Sequence, residues 1–213
     1  MTAHATSSPY LWYLSRASGL VLLALFSAVV VLGVAARTGS SPAGWPRFVF
    51  VELHRTLALF AVALLVLHVV TAILDPFVTI GWGSVVVPFL SSYRPAQIAL
   101  GAIAVDLGGA VIVTSLLRVR LGFRAWRLVH WLAYLAWPAA FVHSLTAGND
   151  LTIWWAALIE MLCAAAVLTA VLARVLLYLR GDRAPGAPNA SGPPPEIPAD
   201  FFDKDQQHWR VHR

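Results

Sequence analysis

The amino-acid sequence has little charge for its length. Only 12% of its 213 residues are Asp, Glu, Lys or Arg, whereas 59% are hydrophobic. A soluble globular domain is about 25% charged, so this chain carries about half the usual share. The composition therefore argues against a soluble enzyme, and the high apolar content excludes a disordered chain.

A single cysteine and the lack of a nucleotide-binding motif exclude further kinds of site. Cys163 has no second cysteine with which to form an intramolecular disulfide or to ligate an iron–sulfur cluster. No glycine-rich dinucleotide fingerprint follows a strand-like segment, and no strand-rich region occurs. These residues are therefore not expected to take hydride from a nicotinamide cofactor by themselves.

Long hydrophobic runs fill most of the sequence instead. About 20 apolar residues can cross a bilayer as a helix, because every backbone group is then satisfied within the segment. Five runs qualify, at residues 14–36, 48–74, 95–117, 126–145 and 151–179. The Asp75–Pro76 pair predicts the end of the second helix, and residues 81–92 are expected to form an interfacial loop. The predicted fold is an all-α membrane protein, a bundle of five transmembrane helices.

Arginine is distributed unequally between the two sides of this predicted bundle. One side carries Arg37, Arg47, Arg118, Arg120, Arg124, Arg180 and Arg183, and the other carries Arg16 and Arg94. The positive-inside rule then places the N-terminus outside and the C-terminus in the cytoplasm. Since topology accounts for the basic residues, no nucleic-acid partner is expected. Residues 10–180 are predicted to form the membrane domain, and residues 181–213 a disordered cytoplasmic tail.

Four of the seven histidines lie inside predicted spans. His54 and His68 are fourteen residues apart on the second helix, and His130 and His143 are thirteen apart on the fourth. Ionisable residues within a membrane are costly and mark functional sites. An interhelical hydrogen bond from a neutral imidazole, worth about 0.6 kcal/mol on average, would explain an isolated histidine but accounts poorly for two matched pairs.

The spacings place these histidines at two levels of the membrane. Fourteen residues rise about 21 Å and thirteen rise about 19–20 Å, within a hydrocarbon core of about 30 Å. His54 and His130 are expected at the cytoplasmic level, and His68 and His143 at the outer level. Two facing imidazoles are the ligand set of bis-histidine haem b, whereas zinc usually needs a third ligand. The four histidines therefore predict two haem groups.

In ideal helices, the two spacings would turn the second histidine of each helix by different angles from the first. An ideal helix ends about 40° off its starting face after fourteen residues and about 140° off after thirteen. Pro138 lies between His130 and His143 and is expected to make the fourth helix irregular.

Haem propionates need cationic partners, and an arginine fork matches a carboxylate. Arg55, Arg124 and Arg127 are the candidates at the cytoplasmic level, and Arg16 and Arg94 at the outer level. The alternative for each is an arginine that merely reaches the membrane interface.

With these residues in view, the chain resembles the ferric reductase-like transmembrane family, which includes ferric reductases, NADPH oxidases and the haem subunit of bacterial methionine sulfoxide reductase systems. The resemblance covers about residues 10–180. Its histidine pairs lie in LHRTLALFAVALLVLHVV and WRLVHWLAYLAWPAAFVHSL, and weaker similarity lies in WYLSRASGL and PFLSSYRP. Oxidase-type members have six helices and a cytoplasmic flavin and nicotinamide module, neither of which is expected here.

The resemblance implies an oxidoreductase component in the bacterial cytoplasmic membrane, with no catalytic residue assigned. Electrons would pass from a cytoplasmic donor, such as a separate flavin reductase, to ferric iron, oxygen or a redox protein outside. It also admits bound FMN or FAD, without a residue to hold it. Two alternatives stay open: a haem-binding membrane anchor for a partner reductase, and a non-haem transporter whose histidines line a proton path.

Overall fold

A computed structural model describes residues 10–38, 46–78, 80–148 and 153–180. The predicted tail, residues 181–213, lies outside the described residues. Every regular element within the described part is helical. The elements are α1 (Tyr10–Thr38), α2 (Arg47–Leu74), a 3₁₀ helix (Trp82–Val85), α3 (Pro95–Leu116), α4 (Arg118–Leu121), α5 (Phe123–His130), α6 (Ala133–Ala147) and α7 (Trp154–Leu179).

Five stretches of the described chain are long and apolar enough to cross a membrane. They are α1, α2, α3, the α5–α6 pair taken together, and α7. The predicted all-α class and the five spans are thus confirmed, and most of their ends agree within a few residues. The helix α2 ends at Leu74, where Asp75 is extended, as the Asp75–Pro76 pair predicts. The chain is a multi-pass membrane protein.

The helices pack as two antiparallel pairs joined through α1. The first pair is α1 with α2, and the second is α3 with the α5–α6 segment. The helix α1 also packs against α6 and α7. Val30 of α1, Trp137 of α6 and Val167 of α7 form a buried core at that junction, and Trp137 Nε1 donates to Ser27 Oγ at 2.9 Å. This core holds together one side of the bundle and leaves the other side of α1 to face α2.

The fourth span is interrupted between His130 and Ala133. Backbone bonds from Trp131 to Leu128 and from Leu132 to Val129 join residues three apart, as in a 3₁₀ helix. Trp131 and Leu132 have ψ angles of −21° and −20°, which are 3₁₀ values. Pro138 follows inside α6, where it cannot donate to the preceding turn. The expected irregularity therefore occurs, but one to two turns before the proline itself.

This tighter turn reduces the rotational mismatch between the two histidine spacings. A 3₁₀ helix turns about 120° per residue, against about 100° for an α-helix, so each residue of the 3₁₀ turn adds about 20° to the rotation between His130 and His143. The 3₁₀ rise of about 2.0 Å per residue, against about 1.5 Å, also makes up part of the length of the missing residue.

We predict that Ser27→Ala destabilises the bundle, because it leaves the buried indole N–H of Trp137 without its acceptor. An unsatisfied buried donor costs about 1–3 kcal/mol, so thermal unfolding in detergent should occur at a lower temperature. Thr146→Ala is the matched control, because the Thr146 hydroxyl is exposed and bonds to the Val142 carbonyl of its own helix. A Ser27→Ala protein as stable as the Thr146→Ala protein would contradict the prediction.

Candidate functional site

The four membrane histidines meet in two pairs across the bundle. The ring centroids of His54 and His130 lie 6.2 Å apart, and those of His68 and His143 lie 6.4 Å apart. Each pair joins α2 to the α5–α6 segment. The sequence-predicted partners are therefore the ones that face each other.

Both centroid separations are close to the distance expected for two imidazole rings that bind the same metal ion. A metal–imidazole bond is about 2.0–2.1 Å, and a five-membered ring with bonds of about 1.33 Å has a radius of about 1.1 Å. Two rings that present Nε2 to one metal along a line thus have centroids about 6.3 Å apart. Rings stacked in parallel would lie closer together, whereas tilted rings in direct contact have centroids about 4.5–7 Å apart. The separations are thus compatible with a metal that both rings of a pair would bind.

Hydrogen bonds to backbone carbonyls fix the tautomer of three of these histidines. Nδ1 of His54, His68 and His143 lies 2.9, 2.8 and 2.7 Å from the carbonyl oxygens of Val29, Ser15 and Gln97, respectively. A carbonyl oxygen only accepts, so each Nδ1 carries the proton and donates it. A neutral imidazole in this state keeps the Nε2 lone pair, which is the one a metal needs.

A glycine stands beside each of these three rings. A Cβ added to Gly101 would lie 2.8 Å from His143 Cε1, one on Gly19 would lie 2.9 Å from His68 Cε1, and one on Gly33 would lie 3.3 Å from His54 Cε1. Real Cβ atoms do not approach to under 3.0 Å. The missing side chains therefore let the imidazole edges reach the backbone of α1 and α3.

The accepting carbonyl and the glycine have the same spacing in all three cases. Ser15 and Gly19, Val29 and Gly33, and Gln97 and Gly101 are each four residues apart, which is one helical turn. We call each such pair a carbonyl–glycine pair. Two of them lie on α1 and contact α2, and the third lies on α3 and contacts α6. The sequence analysis did not identify these glycines, although their spacing of fourteen on α1 equals that of the two histidines on α2.

His130 is held in a different way. Its Nδ1 is buried and has no hydrogen-bond partner among the described residues. The ring instead packs beside the indole of Trp126, with centroids 5.0 Å apart and planes inclined at 34°.

All four histidines line one cavity of about 1530 Å³. A site for a single small molecule usually measures about 300–1,000 Å³, so this cavity can hold more than one large ligand. Its walls come mainly from α1, α2, α3 and the α5–α6 segment, and most of them are apolar. The described residues contain no cluster of three His, Cys, Asp or Glu side chains that could hold a metal ion by themselves. The donor set thus suits a metal whose remaining ligands come from a macrocycle, as in haem.

Four of the five predicted arginines line this cavity. They are Arg16, Arg55, Arg124 and Arg127. Arg94 is absent from the cavity wall and donates at 3.1 Å to the carbonyls of Thr146 and Ala147 at the end of α6. These two hydrogen bonds therefore satisfy carbonyls at the C-terminal end of α6, where the helix dipole stabilises a cation.

Three further arginines, Arg37, Arg118 and Arg174, also line the cavity. Arg174 lies over the rings of Trp131 and Tyr134 and donates to the Tyr134 hydroxyl. The sequence around Arg174 gives no sign of these contacts, because both aromatic rings lie on a different segment of the chain.

We predict that Gly101→Ala prevents His68 and His143 from holding a haem group together, because the new Cβ displaces the His143 ring. Gly33→Ala should have a weaker effect on the other pair, since its Cβ meets His54 at 3.3 Å. Gly109→Ala, on the same helix as Gly101, is the control because nothing lies within 4 Å of its added Cβ. The measurement is the haem-to-protein ratio of the purified variants. Equal ratios for Gly101→Ala and Gly109→Ala would be incompatible with the close contact.

Comparison with known proteins gives one match. The model of the family described as ferric reductase like transmembrane component matches residues 18–141. The matched segment is more than half of the 213 residues and includes His54, His68 and His130. No curated protein and no solved structure matches the chain.

Proposed function

The chain belongs to the ferric reductase-like transmembrane family, and from that premise we propose that it is a di-haem b membrane cytochrome. It would carry electrons across the membrane from a cytoplasmic donor to an acceptor on the other side. The family supports membrane electron transfer in general. We propose in addition that it binds two haem groups, that the four histidines are their ligands, and that electrons move outwards.

The observation that carries this proposal is the pair of facing imidazoles at each of two levels. Centroid separations of 6.2 and 6.4 Å leave space for one iron atom in each pair. When bound there, haem b supplies a one-electron Fe(III)/Fe(II) couple. His54 and His68 are separated on α2 by about 21 Å of helix rise, so the two sites together extend over most of a hydrocarbon core of about 30 Å.

The direction of transfer follows from the proposed orientation. The arginine-rich ends of the helices, which include Arg118, Arg120 and Arg124, would lie in the cytoplasm under the positive-inside rule. His54 and His130 then form the inner pair, and His68 and His143 the outer pair. The membrane in question would be the bacterial cytoplasmic membrane.

Cations at both ends of the cavity support the binding of haem propionates. At the inner level we assign this role to Arg55, Arg124 and Arg127, and at the outer level to Arg16, because all four line the cavity. Arg94 is left out of this assignment, since its guanidinium already donates to two carbonyls of α6.

The electron donor is proposed to be a cytoplasmic protein. A cytoplasmic flavin reductase is the class that the family suggests, and bound FMN or FAD would be a second way to feed the inner haem. Ferric iron, oxygen or a redox protein would be the acceptor.

The test is electron transfer across a sealed vesicle. Proteoliposomes with a trapped ferric chelate receive dithionite outside, and reduction of the chelate is followed optically. Reduction should be fast with the unaltered chain and fall to the rate of protein-free vesicles in His68→Ala/His143→Ala and in His54→Ala/His130→Ala, because each double variant lacks one level. Gly109→Ala is the control and should retain the full rate.

Three results would contradict the proposal. Unchanged transfer in either double variant would show that the histidine pairs do not carry the electrons. Haem-loaded protein that exchanges no electrons with the trapped chelate would favour the membrane-anchor alternative, and colourless protein expressed with sufficient haem would favour the transporter.

A further inference from the structure

His130 differs from the other three histidines in what fixes its ring. Each of the others donates Nδ1–H to a carbonyl beside a glycine, whereas Nδ1 of His130 is buried with no hydrogen-bond partner among the described residues. The four positions otherwise occupy equivalent places in two antiparallel helix pairs. The reason for the difference therefore lies on α3, which is the neighbour of α5.

The position of a fourth carbonyl–glycine pair follows from the spacing on α1. There, the two pairs begin at Ser15 and Val29, fourteen residues apart. On α3 the first pair begins at Gln97, so the second should begin at Val111, fourteen residues later. Its glycine position is then occupied by Ser115, and both residues line the cavity.

The Ser115 hydroxyl makes two hydrogen bonds that a glycine at this position could not make. It donates to the Val111 carbonyl at 2.7 Å, and the Thr114 hydroxyl donates to the same carbonyl at 3.2 Å. The Ser115 oxygen also accepts Nε1–H of Trp126 at 3.2 Å, and the indole packs against His130. The Ser115 side chain and the Trp126 indole thus occupy the space into which the edge of the His130 ring would fit if residue 115 were glycine.

On this basis, and resting on the proposed function, we propose that His130 is the exchangeable ligand of the four. A small uncharged ligand would replace His130 at the inner haem, while the outer haem keeps both histidines. A hydrogen bond to the second ring nitrogen orients a ligating histidine and raises its basicity, and its loss typically costs about 10–100-fold in metal affinity. Ser115 is the positioning residue that removes this bond.

The surroundings of His130 favour release of its ring and an uncharged replacement. The helix α5 ends at His130 and continues as the 3₁₀ turn, so the ring is not fixed by a continuous α-helix. Val111, Ile112 and Leu128 line the same cavity, together with Arg124 and Arg127. Because the haem propionates would occupy these two arginines, the replacement ligand is proposed to be uncharged.

Carbon monoxide is the probe, because it is small, uncharged and binds reduced haem only where an axial position opens. The dithionite-reduced, detergent-solubilised full chain should bind it at one of its two haems. His68→Ala/His143→Ala, which keeps the inner pair, should retain this binding, and His54→Ala/His130→Ala should lose it. Binding by the second variant equal to that of the first would overturn the inference, as would haem-loaded protein that binds none.

Two substitutions of Ser115 test the cause. Ser115→Gly removes the Cβ and leaves the Val111 carbonyl with Thr114 as a hydroxyl donor, as the Ser15 carbonyl has Ser18 while it accepts from His68. His130 should then bind more firmly, and the affinity for carbon monoxide should fall about 10–100-fold. Ser115→Ala keeps the Cβ that excludes the imidazole edge and should leave the affinity unchanged. Equal affinities in the two variants, each carrying both haems, would overturn the inference and leave the proposed function intact. A chain that binds no haem would instead overturn the proposed function, and the inference with it.

Discussion

The close approach of imidazole rings to a neighbouring helix backbone is the contact on which the site depends. A ring inside a membrane has no water to satisfy its Nδ1–H, and a helix offers only carbonyl oxygens that are already bonded within it. His68 reaches the Ser15 carbonyl because Gly19 leaves the backbone uncovered at that point. The same contact forces the proton onto Nδ1, and so leaves the Nε2 lone pair available to a metal.

Two antiparallel helix pairs repeat this contact from both sides of the cavity. The α1–α2 pair supplies His54 and His68 from an uninterrupted α-helix of 28 residues. The second pair has one residue fewer between its histidines, and the 3₁₀ turn before Pro138 compensates in part for the lost rotation and rise. The two unequal spacings nevertheless bring the histidines together at the same two levels.

Much of this arrangement can be predicted from the sequence, because it depends on local properties. Span lengths follow from apolar runs, and the partners His54/His130 and His68/His143 follow from helix rise and alternating direction. The carbonyl–glycine pairs could not be predicted, since a glycine in a helix gains this meaning only when a histidine of another helix faces it. The same holds for Arg94, whose contact with the end of α6 depends on tertiary packing between residues about fifty positions apart.

The difference between His130 and the other three histidines distinguishes the two levels within one fold. Three rings are fixed by hydrogen bonds and one packs against an indole, so we expect the level of His130 to be the adaptable one. The proposed function and the inference about His130 both require that the chain binds one haem b between each pair of histidines. A haem-to-protein ratio combined with a redox titration of the purified unaltered chain tests it most directly. We predict two haems per chain and two one-electron components. One haem with a single component would contradict the binding of a haem by each histidine pair.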